Sequence, residues 1–399
     1  MPAHRLLFVT ENHPPDRGGM AESCDRIVRG LARAGVGVDL VHFDRKSVRP
    51  SRRVTSSGVH LRVPLDADAS HTVNLLWNRL QQEVDLQAVT HVVAFGGFLP
   101  LLAAPAFAAW IGRPLITLLR GNEFDAGLFD PRRRPLLDDA LLRSAAVCTV
   151  TTAQSAKIAA LHPRLQPRVI ANGIDFDLWQ ATKADRARGQ AWRAAHVDPS
   201  RRLIGIFGHL KSKKGVPFFV ESLVRSGVAD RVHLLLIGEL DEASRATLDG
   251  CDVARTELPG VGRFELMPFY LACDFIAVPS HYDGFPNVLI EAMALGRPLL
   301  ASAVGGMRDL LTEGEDAFLF PPGHEHACRE AIRRAVAAGD EQLLQMGAYA
   351  AAVARGRCDA REETRHYLEV LHTVQEDSDA NAALDRHTFP APRELRRAR

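Results

Sequence analysis

The chain has 399 residues, with 49 Lys+Arg against 48 Asp+Glu and a formal net charge of +1. Hydrophobic residues make up 46% and charged residues 24%, the balance of a globular protein, and the length predicts two domains, each with its own core. So small a net charge provides no global field to attract nucleic acid or an anionic membrane, and neither is expected as a partner. The six cysteines are scattered without a C-x-x-C pair, which points to a reducing cytoplasm rather than a disulfide framework.

The opening MPAHRLLFVT reaches apolar residues at once and then meets Glu11, Asn12 and two prolines, so it reads as a strand and not as a secretory signal. The runs RLLFVTE, VGVDLVHF, HVVAFGG, PLITLLRG, AVCTVTT and RVIAN are nearly all apolar, as expected for parallel strands covered on both faces. Between the first two, MAESCDRIVRGLARAG places Ile27, Leu31 and Ala34 on one helical face and ends at Gly35. Residues 95–112 carry no charge, but Pro100, Pro105, Gly96 and Gly97 punctuate the run. A span needs about 20 unbroken apolar residues, so a buried helix between two strands is expected, and peripheral membrane contact is not favoured. The run Arg132-Arg133-Arg134 reads as a solvated loop, with steering of an anionic acceptor or a lipid surface as the alternative.

Polar, charge-rich residues 175–202 interrupt this rhythm. It restarts with RLIGIFGHL, VHLLLIGE, FIAVPS, PLLASA and AFLFPP, each followed by a helical pattern. Two strand–helix series predict two doubly wound, Rossmann-like α/β domains facing across a cleft. The expected division is residues 1–175 and 176–355, a helix over 356–375 returning to the first domain, and a disordered tail over 376–399. Ligands of such sheets bind outside the carboxyl ends of the strands, so the loops following strands are where chemistry is sought.

One such loop is GHLKSKKG, residues 208–215. The chain has only six lysines, and three of them, Lys211, Lys213 and Lys214, lie here between a strand and a helix opened by Pro217. Free N–H groups and the helix dipole favour an anion at that position, and ammonium groups added there make a phosphate cradle. The spacing is not that of a Walker A loop. A second informative stretch is PSHYDGFPNVLIEAMALGRP, where Glu291 is the sole charge on an otherwise apolar helix. Buried carboxylates need partners, so Glu291 must meet a cation, a hydroxyl-bearing ligand or solvent in a cleft; a purely structural Glu–Arg pair is the competing reading. Asp283, just before that helix, suits either a cap or a ligand contact.

At this point the motifs DRGGMAESCDRIVRGLARAGVGVDLVHF, LLRGNEFD, VIANGID, GHLKSKKG, LLIGE, FYLACDFIAVPSHYDGFPNVLIEAMALGRPLLASAVGGMRDLL and FLFPPG, in this order, resemble a retaining glycosyltransferase of family four with GT-B architecture. The resemblance spans residues 5–323. It implies transfer of a sugar from a nucleoside-diphosphate donor to a polar acceptor hydroxyl, without metal or other cofactor. By the same resemblance Lys214, with Lys213 beside it, holds the donor diphosphate, and His209 stands where the family usually has arginine. Asp283 and Glu291, eight residues apart, match a pair of glutamates that hold the donor sugar and the ribose. Phe285, Pro286, Asn287 and Val288 match a loop whose N–H groups meet sugar and phosphate, Gly19 a glycine loop beside the diphosphate, and Gly238 a position near the nucleobase. Arg120 falls where a histidine enters the cleft.

Three departures matter: histidine for arginine at His209, aspartate for glutamate at Asp283, and arginine for histidine at Arg120, which can only donate. Acceptor contacts are expected from residues 13–19, including Gly18, from 96–98, and from 120–125, including Asn122 and Glu123. The D-x-D triplets at Asp66/Asp68, Asp175/Asp177 and Asp377/Asp379 lie in a loop, the linker and the tail, so no metal is expected there. His324, His326 and Cys328 lack a fourth zinc ligand. A non-catalytic nucleotide-sugar-binding protein, or a sugar-nucleotide epimerase or phosphorylase on the same architecture, would share the phosphate site.

Overall fold

The computed structural model describes residues 4–388 apart from Arg17 and Asn122, with side chains described to residue 380. The first sheet comprises β1 (Arg5–Thr10), β2 (Gly37–Asp44), β3 (Ser51–Val54), β4 (Val59–Pro64), β5 (His91–Phe95), β6 (Leu115–Leu119), β7 (Ser144–Thr149) and β8 (Arg168–Val169). Its order is β3-β4-β2-β1-β5-β6-β7-β8, parallel except for the β3 edge. The second comprises β9 (Arg202–Leu210), β10 (Val232–Leu240), β11 (Arg255–Leu258), β12 (Phe275–Val278), β13 (Leu299–Ser302) and β14 (Ala317–Phe320). Its order is β11-β10-β9-β12-β13-β14, all parallel. These are two doubly wound α/β domains.

Strand geometry divides the cores. Successive side chains point to opposite faces, so Leu6 and Phe8 of β1 enter one cluster while Leu7 and Val9 enter the other. In β9, Ile204 and Ile206 go one way and Leu203 and Phe207 the other. Each fully buried side chain of this size contributes about 1.5–3 kcal/mol. The uncharged stretch beginning at Phe95 forms the predicted buried helix, Phe98–Ile111, closed by Gly112 in the left-handed conformation that lets glycine end a helix. Among the described residues no helix is long and apolar enough to cross a membrane.

The structure differs from expectation in three places. β3 and β4, a hairpin on the sheet edge, were hidden because β3 is fully exposed and carries Arg52 and Arg53, charges that discourage edge pairing with other chains. The polar linker contains a helix, Lys183–His196, opened by a capping box in which Thr182 and Asp185 satisfy each other's backbone N–H groups. The closing helix runs Ala360–Thr388, across the first part of the expected disordered tail. Residues 389–399 of that tail lie outside the described residues. Tyr367, Val370, Leu371 and Val374 of this helix share one face and pack into the first domain's core, so the chain returns there after completing the second domain.

Asp316, in the turn before β14, is wholly buried; Oδ1 accepts from the Thr312 N–H at 2.8 Å, and Oδ2 has no partner. Burial pushes its carboxyl up from 3.8 to about 6. Between those values the native state binds the proton and the unfolded chain releases it, so stability falls as pH rises through that window and the loss is complete at neutral pH. Asp316→Asn is therefore expected to stabilise the protein at neutral pH by about 1–3 kcal/mol, with the gain vanishing in acid. Urea midpoints of both proteins across that range check this, and a pH-independent difference would contradict it.

Candidate active site

Both sheets reverse their strand order beside the first strand of each domain, between β1 and β5 and between β9 and β12. Crevices form at such points, and the candidate residues lie at two of them. After β9 the lysine loop forms a single 3-10 turn, Ser212–Lys214, then passes through Gly215 into the helix Val216–Ser226. Asp241 anchors the turn: its Oδ2 accepts from the Ser212 N–H at 2.7 Å and from the Ser212 hydroxyl at 2.9 Å. The loop also lies against the segment after β12, because the His281 N–H donates to the Lys213 carbonyl at 3.2 Å. Gly215 must be glycine, since a Cβ there would lie 2.0 Å from the Pro279 carbonyl oxygen.

That proximity brings Lys214 to Asp283. The ammonium donates to Asp283 Oδ2, which also receives the Ser280 hydroxyl at 3.3 Å, and the Gly284 N–H reaches Oδ1 at 3.0 Å. Among the described residues Lys211 and Lys213 pair with no carboxylate, and both are exposed. Although Lys213 is exposed, partial desolvation of its ammonium, followed by the neighbouring Lys214, lowers its pKa. His209 is also lowered, by burial first and then by Lys211, so it is a neutral imidazole at neutral pH. Gly238 lies beside β9 in a conformation reserved for glycine, where a Cβ would meet the Gly208 carbonyl oxygen at 1.8 Å. Gly208, Gly238 and the nearby Gly260 leave a ledge free of side chains at the ends of β9 and β10.

The first domain faces this wall. A Cβ on Gly18 would stand 3.4 Å from His209 Nε2, and the Asn287 side-chain amide donates to the Gly19 carbonyl at 3.1 Å. Gly284 approaches the backbone of Arg120 and Gly121, and Asp309 of the second domain accepts from the Thr152 N–H at 2.8 Å and hydroxyl at 2.6 Å. Phe285 is buried and Pro286 leads into the helix Asn287–Ala294, with Val288 near Gly208. Glu123 sits on the first-domain side, partly buried; burial raises its carboxyl, and Oε2 accepts the Gly121 N–H at 2.7 Å. Asn122 lies outside the described residues.

Two sequence expectations change. Glu291 is 5% exposed and fully engaged: Oε1 accepts from Arg263 Nε at 2.7 Å and Oε2 from the Tyr270 hydroxyl at 2.8 Å. The competing Glu–Arg pair is thus present, and Arg263 was missed because no motif marks it. Arg120 is not a cleft residue. Its side chain is completely covered, donating to the Ile170 carbonyl at 2.9 Å, to Glu363 Oε1 at 2.8 Å, to Asn172 Oδ1 and to the Tyr367 hydroxyl. The returning C-terminal helix, which supplies Glu363 and Tyr367, turns this guanidinium inward. Arg26 meets the same carboxylate through Nε at 2.7 Å. Burial alone would raise the Glu363 carboxyl, but Arg26 and Arg120 outweigh it and hold it below its ordinary value. Elsewhere Asp68 and His324 serve as helix N-caps.

Residues 17–178 match the family model "Glycosyltransferase Family 4", and residues 201–338 match "Glycosyl transferases group 1". The D-inositol 3-phosphate glycosyltransferase of Geodermatophilus obscurus is 30% identical over 369 residues, 84% of this chain and 80% of that protein. The chain belongs to glycosyltransferase family 4. Some matches are shorter: the D-inositol 3-phosphate glycosyltransferase of Mycolicibacterium gilvum is 29% identical over 44% of this chain and 40% of its own length. The match to the lipopolysaccharide core mannosyltransferase of Rhizobium meliloti, 30% identical, spans 37% and 44%. Thus the chain's matches span less than half the length of these two curated relatives. Sucrose-phosphate synthase from Thermosynechococcus elongatus shares the fold, with a TM-score of 0.79 at 18% identity, covering 93% of this chain and 99% of that one. So does the Anabaena protein HepE in complex with UDP-glucose, with a TM-score of 0.71 at 18% identity over 92% and 99%. The chain therefore has the two-domain GT-B fold.

For a family 4 chain, the inward turn of Arg120 makes it a structural residue. Arg120→Ala takes a buried donor away from Glu363, Asn172, Tyr367 and the Ile170 carbonyl, and each orphaned group costs about 1–3 kcal/mol, so the unfolding free energy is expected to fall by about 3 kcal/mol or more, read as a lower urea midpoint. A variant as stable as the parent would show that the network does not depend on this guanidinium.

Proposed function

We propose that this chain, in the cytoplasm, transfers a sugar from a nucleoside-diphosphate sugar to a hydroxyl of a polar acceptor, with retention of anomeric configuration and without a metal ion. One observation carries the reading: Lys214 and Asp283 are held together where the second sheet reverses, and His209 and Asn287 on either side of them in sequence face the Gly18–Gly19 loop of the first domain. The neighbours support the donor class, since HepE was solved with UDP-glucose and starch synthase IV from Arabidopsis thaliana with ADP and acarbose. All six cysteines are free, which fits a reducing compartment.

The diphosphate takes the Lys214 ammonium, freeing Asp283 to accept hydrogen bonds from donor-sugar hydroxyls. Lys211 and Lys213 add the permanent charge that a neutral His209 lacks, while His209 keeps an N–H to donate. The backbone from Phe285 to Val288 meets the sugar and phosphate, with free N–H groups at the start of its helix. The nucleobase lies on the glycine ledge near Gly238, and the ribose reaches Glu291 by sharing or displacing Arg263. As the bond between the sugar's anomeric carbon and the phosphate oxygen breaks, the acceptor oxygen bonds to that carbon on the same face. The acceptor proton passes to the departing diphosphate, whose charge the lysines stabilise. No protein nucleophile enters this scheme. Glu123 and the backbone around Gly18 and Gly19 orient the acceptor.

Binding without turnover is the second reading, favoured by the absence of Arg120 from the cleft. Thermal stabilisation by UDP-, GDP-, ADP- and TDP-sugars identifies the donor, because a ligand of the native state raises apparent stability by mass action. Nucleotide release that depends on acceptor then separates transfer from binding alone. Charge-assisted hydrogen bonds contribute about 1.5–3 kcal/mol, so Lys214→Ala is expected to slow transfer about tenfold to a few hundredfold. Unchanged turnover in that variant would remove the ammonium from the mechanism.

A further inference from the structure

Outside the cleft wall, three histidines converge. His42 is on β2 and His60 on the adjoining β4, diagonally placed on one face of the sheet, and His13 descends on them from the loop after β1. One ring nitrogen of each lies within 4.8 Å of those of the other two, with ring centroids 4.9–6.0 Å apart. His42 is fully buried; its Nδ1 and the His60 Nε2 are buried without any hydrogen-bond partner. An unsatisfied buried polar atom costs about 1–3 kcal/mol, so two in one cluster call for an explanation.

The hydrogen bonds at the rim select the tautomers. His13 Nδ1 faces the Pro14 carbonyl at 3.1 Å, which only accepts, so that nitrogen carries the proton and Nε2 is left with a lone pair. His42 Nε2 faces Asp16 Oδ2 at 3.3 Å, so Nε2 is the protonated atom and the orphaned Nδ1 is the one with a lone pair. A carboxylate on the far nitrogen of an imidazole is the arrangement that orients histidine ligands in metal sites. We propose that His13, His42 and His60 form a binding site for a divalent first-row transition metal, zinc in particular, that clasps the loop around His13 to β2 and β4.

Tetrahedral zinc with Zn–N bonds of about 2.0–2.1 Å sets its ligand nitrogens about 3.4 Å apart, a closure that small ring rotations and a shift of the His13 loop provide. Three imidazoles leave a fourth position for water. Most of the nearby positive charge is paired, Arg62 with Asp44, Lys46 with Asp16 at 3.2 Å and Arg29 with Asp25 at 3.2 Å; Arg62 and Arg53 still oppose a cation at His60, while the carboxylates of Asp16, Asp25 and Asp44 favour one at His13 and His42. Burial first, then the other histidines and Arg62, lowers His60 to about 4, and burial also lowers His13 and His42. Five residues beyond His13 lies Gly18, facing His209, so the clasp would fix one wall of the cleft. It would do so whether or not the chain transfers sugar.

The test uses the full chain without an affinity tag, stripped by chelator and dialysed. Titration with zinc by calorimetry is expected to show one equivalent bound, and cobalt(II) to give the visible bands of a four-coordinate nitrogen site. His13→Ala, a loop change, and His60→Ala are each expected to weaken zinc at least tenfold and to abolish the zinc-dependent rise in melting temperature. Circular dichroism confirms that each is folded. No stoichiometric zinc in the wild-type chain, a six-coordinate cobalt spectrum, or undiminished affinity in folded His13→Ala would overturn the proposal.

Discussion

The relation between the two domains depends on one buried carboxylate. Glu363, on the helix that returns from the second domain, is shared by Arg26 and Arg120 of the first, and its Oε2 also receives the Gly173 N–H from the segment that leaves the first domain after β8, at 3.1 Å. Asn172 extends the network: its carbonyl oxygen accepts from both arginines, and its amide donates to the carbonyl of Phe285 in the second domain. Two guanidiniums and one carboxylate leave an excess positive charge in a dry place. That is tolerable only because carbonyls and a tyrosine hydroxyl take most of the remaining N–H groups. The outgoing and incoming crossings of the chain are thereby tied to each other and to the loop expected to meet the donor. Tilting one domain against the other would break several buried, charge-assisted bonds at once.

The same constraint explains why Arg120 misled. The motif LLRGNEFD correctly places a residue at the carboxyl end of β6, but whether that side chain enters the cleft depends on the C-terminal helix, some 240 residues later in the chain. No local pattern reports such a partner. The lysine cluster behaved differently. Its meaning lay in composition, three of six lysines in one strand-to-helix turn, and the pairing with Asp283 follows from β9 and β12 being neighbours.

Fold legibility followed burial. Strands covered on both faces announce themselves as continuous apolar runs, and all those at the cleft were found. β3 and β11 lie at sheet edges and β4 lies just inside one, with half-exposed residues that dilute the signal, and the helix Lys183–His196 has a surface mostly in water. For the site, residue types with an unusual context (a lone glutamate on an apolar helix, lysines in an arginine-rich chain) were legible. Arg263 and the three histidines were not, because one sits in an unmarked turn and the others come from separate strands and a loop.

Both carboxylates expected to meet the donor are occupied by cations, Asp283 by Lys214 and Glu291 by Arg263. A buried carboxylate needs a partner, and these two cations supply one to each group and hold it in place. On the proposed reading, binding is an exchange of ion pairs rather than the filling of an empty polar pocket. The diphosphate replaces Asp283 at Lys214, and the two groups released from that pair each find a new partner on the same ligand. For Arg263 the new partner is already near: Glu22, in the first turn of the first domain's leading helix, lies 3.9 Å from its Nη1. A ribose that took Glu291 would push Arg263 toward Glu22 and so tighten an ion pair between domains that the Glu363 network already holds in place. Occupancy of the nucleoside pocket would then be read as a stronger tie across the cleft, with no rearrangement of the domains.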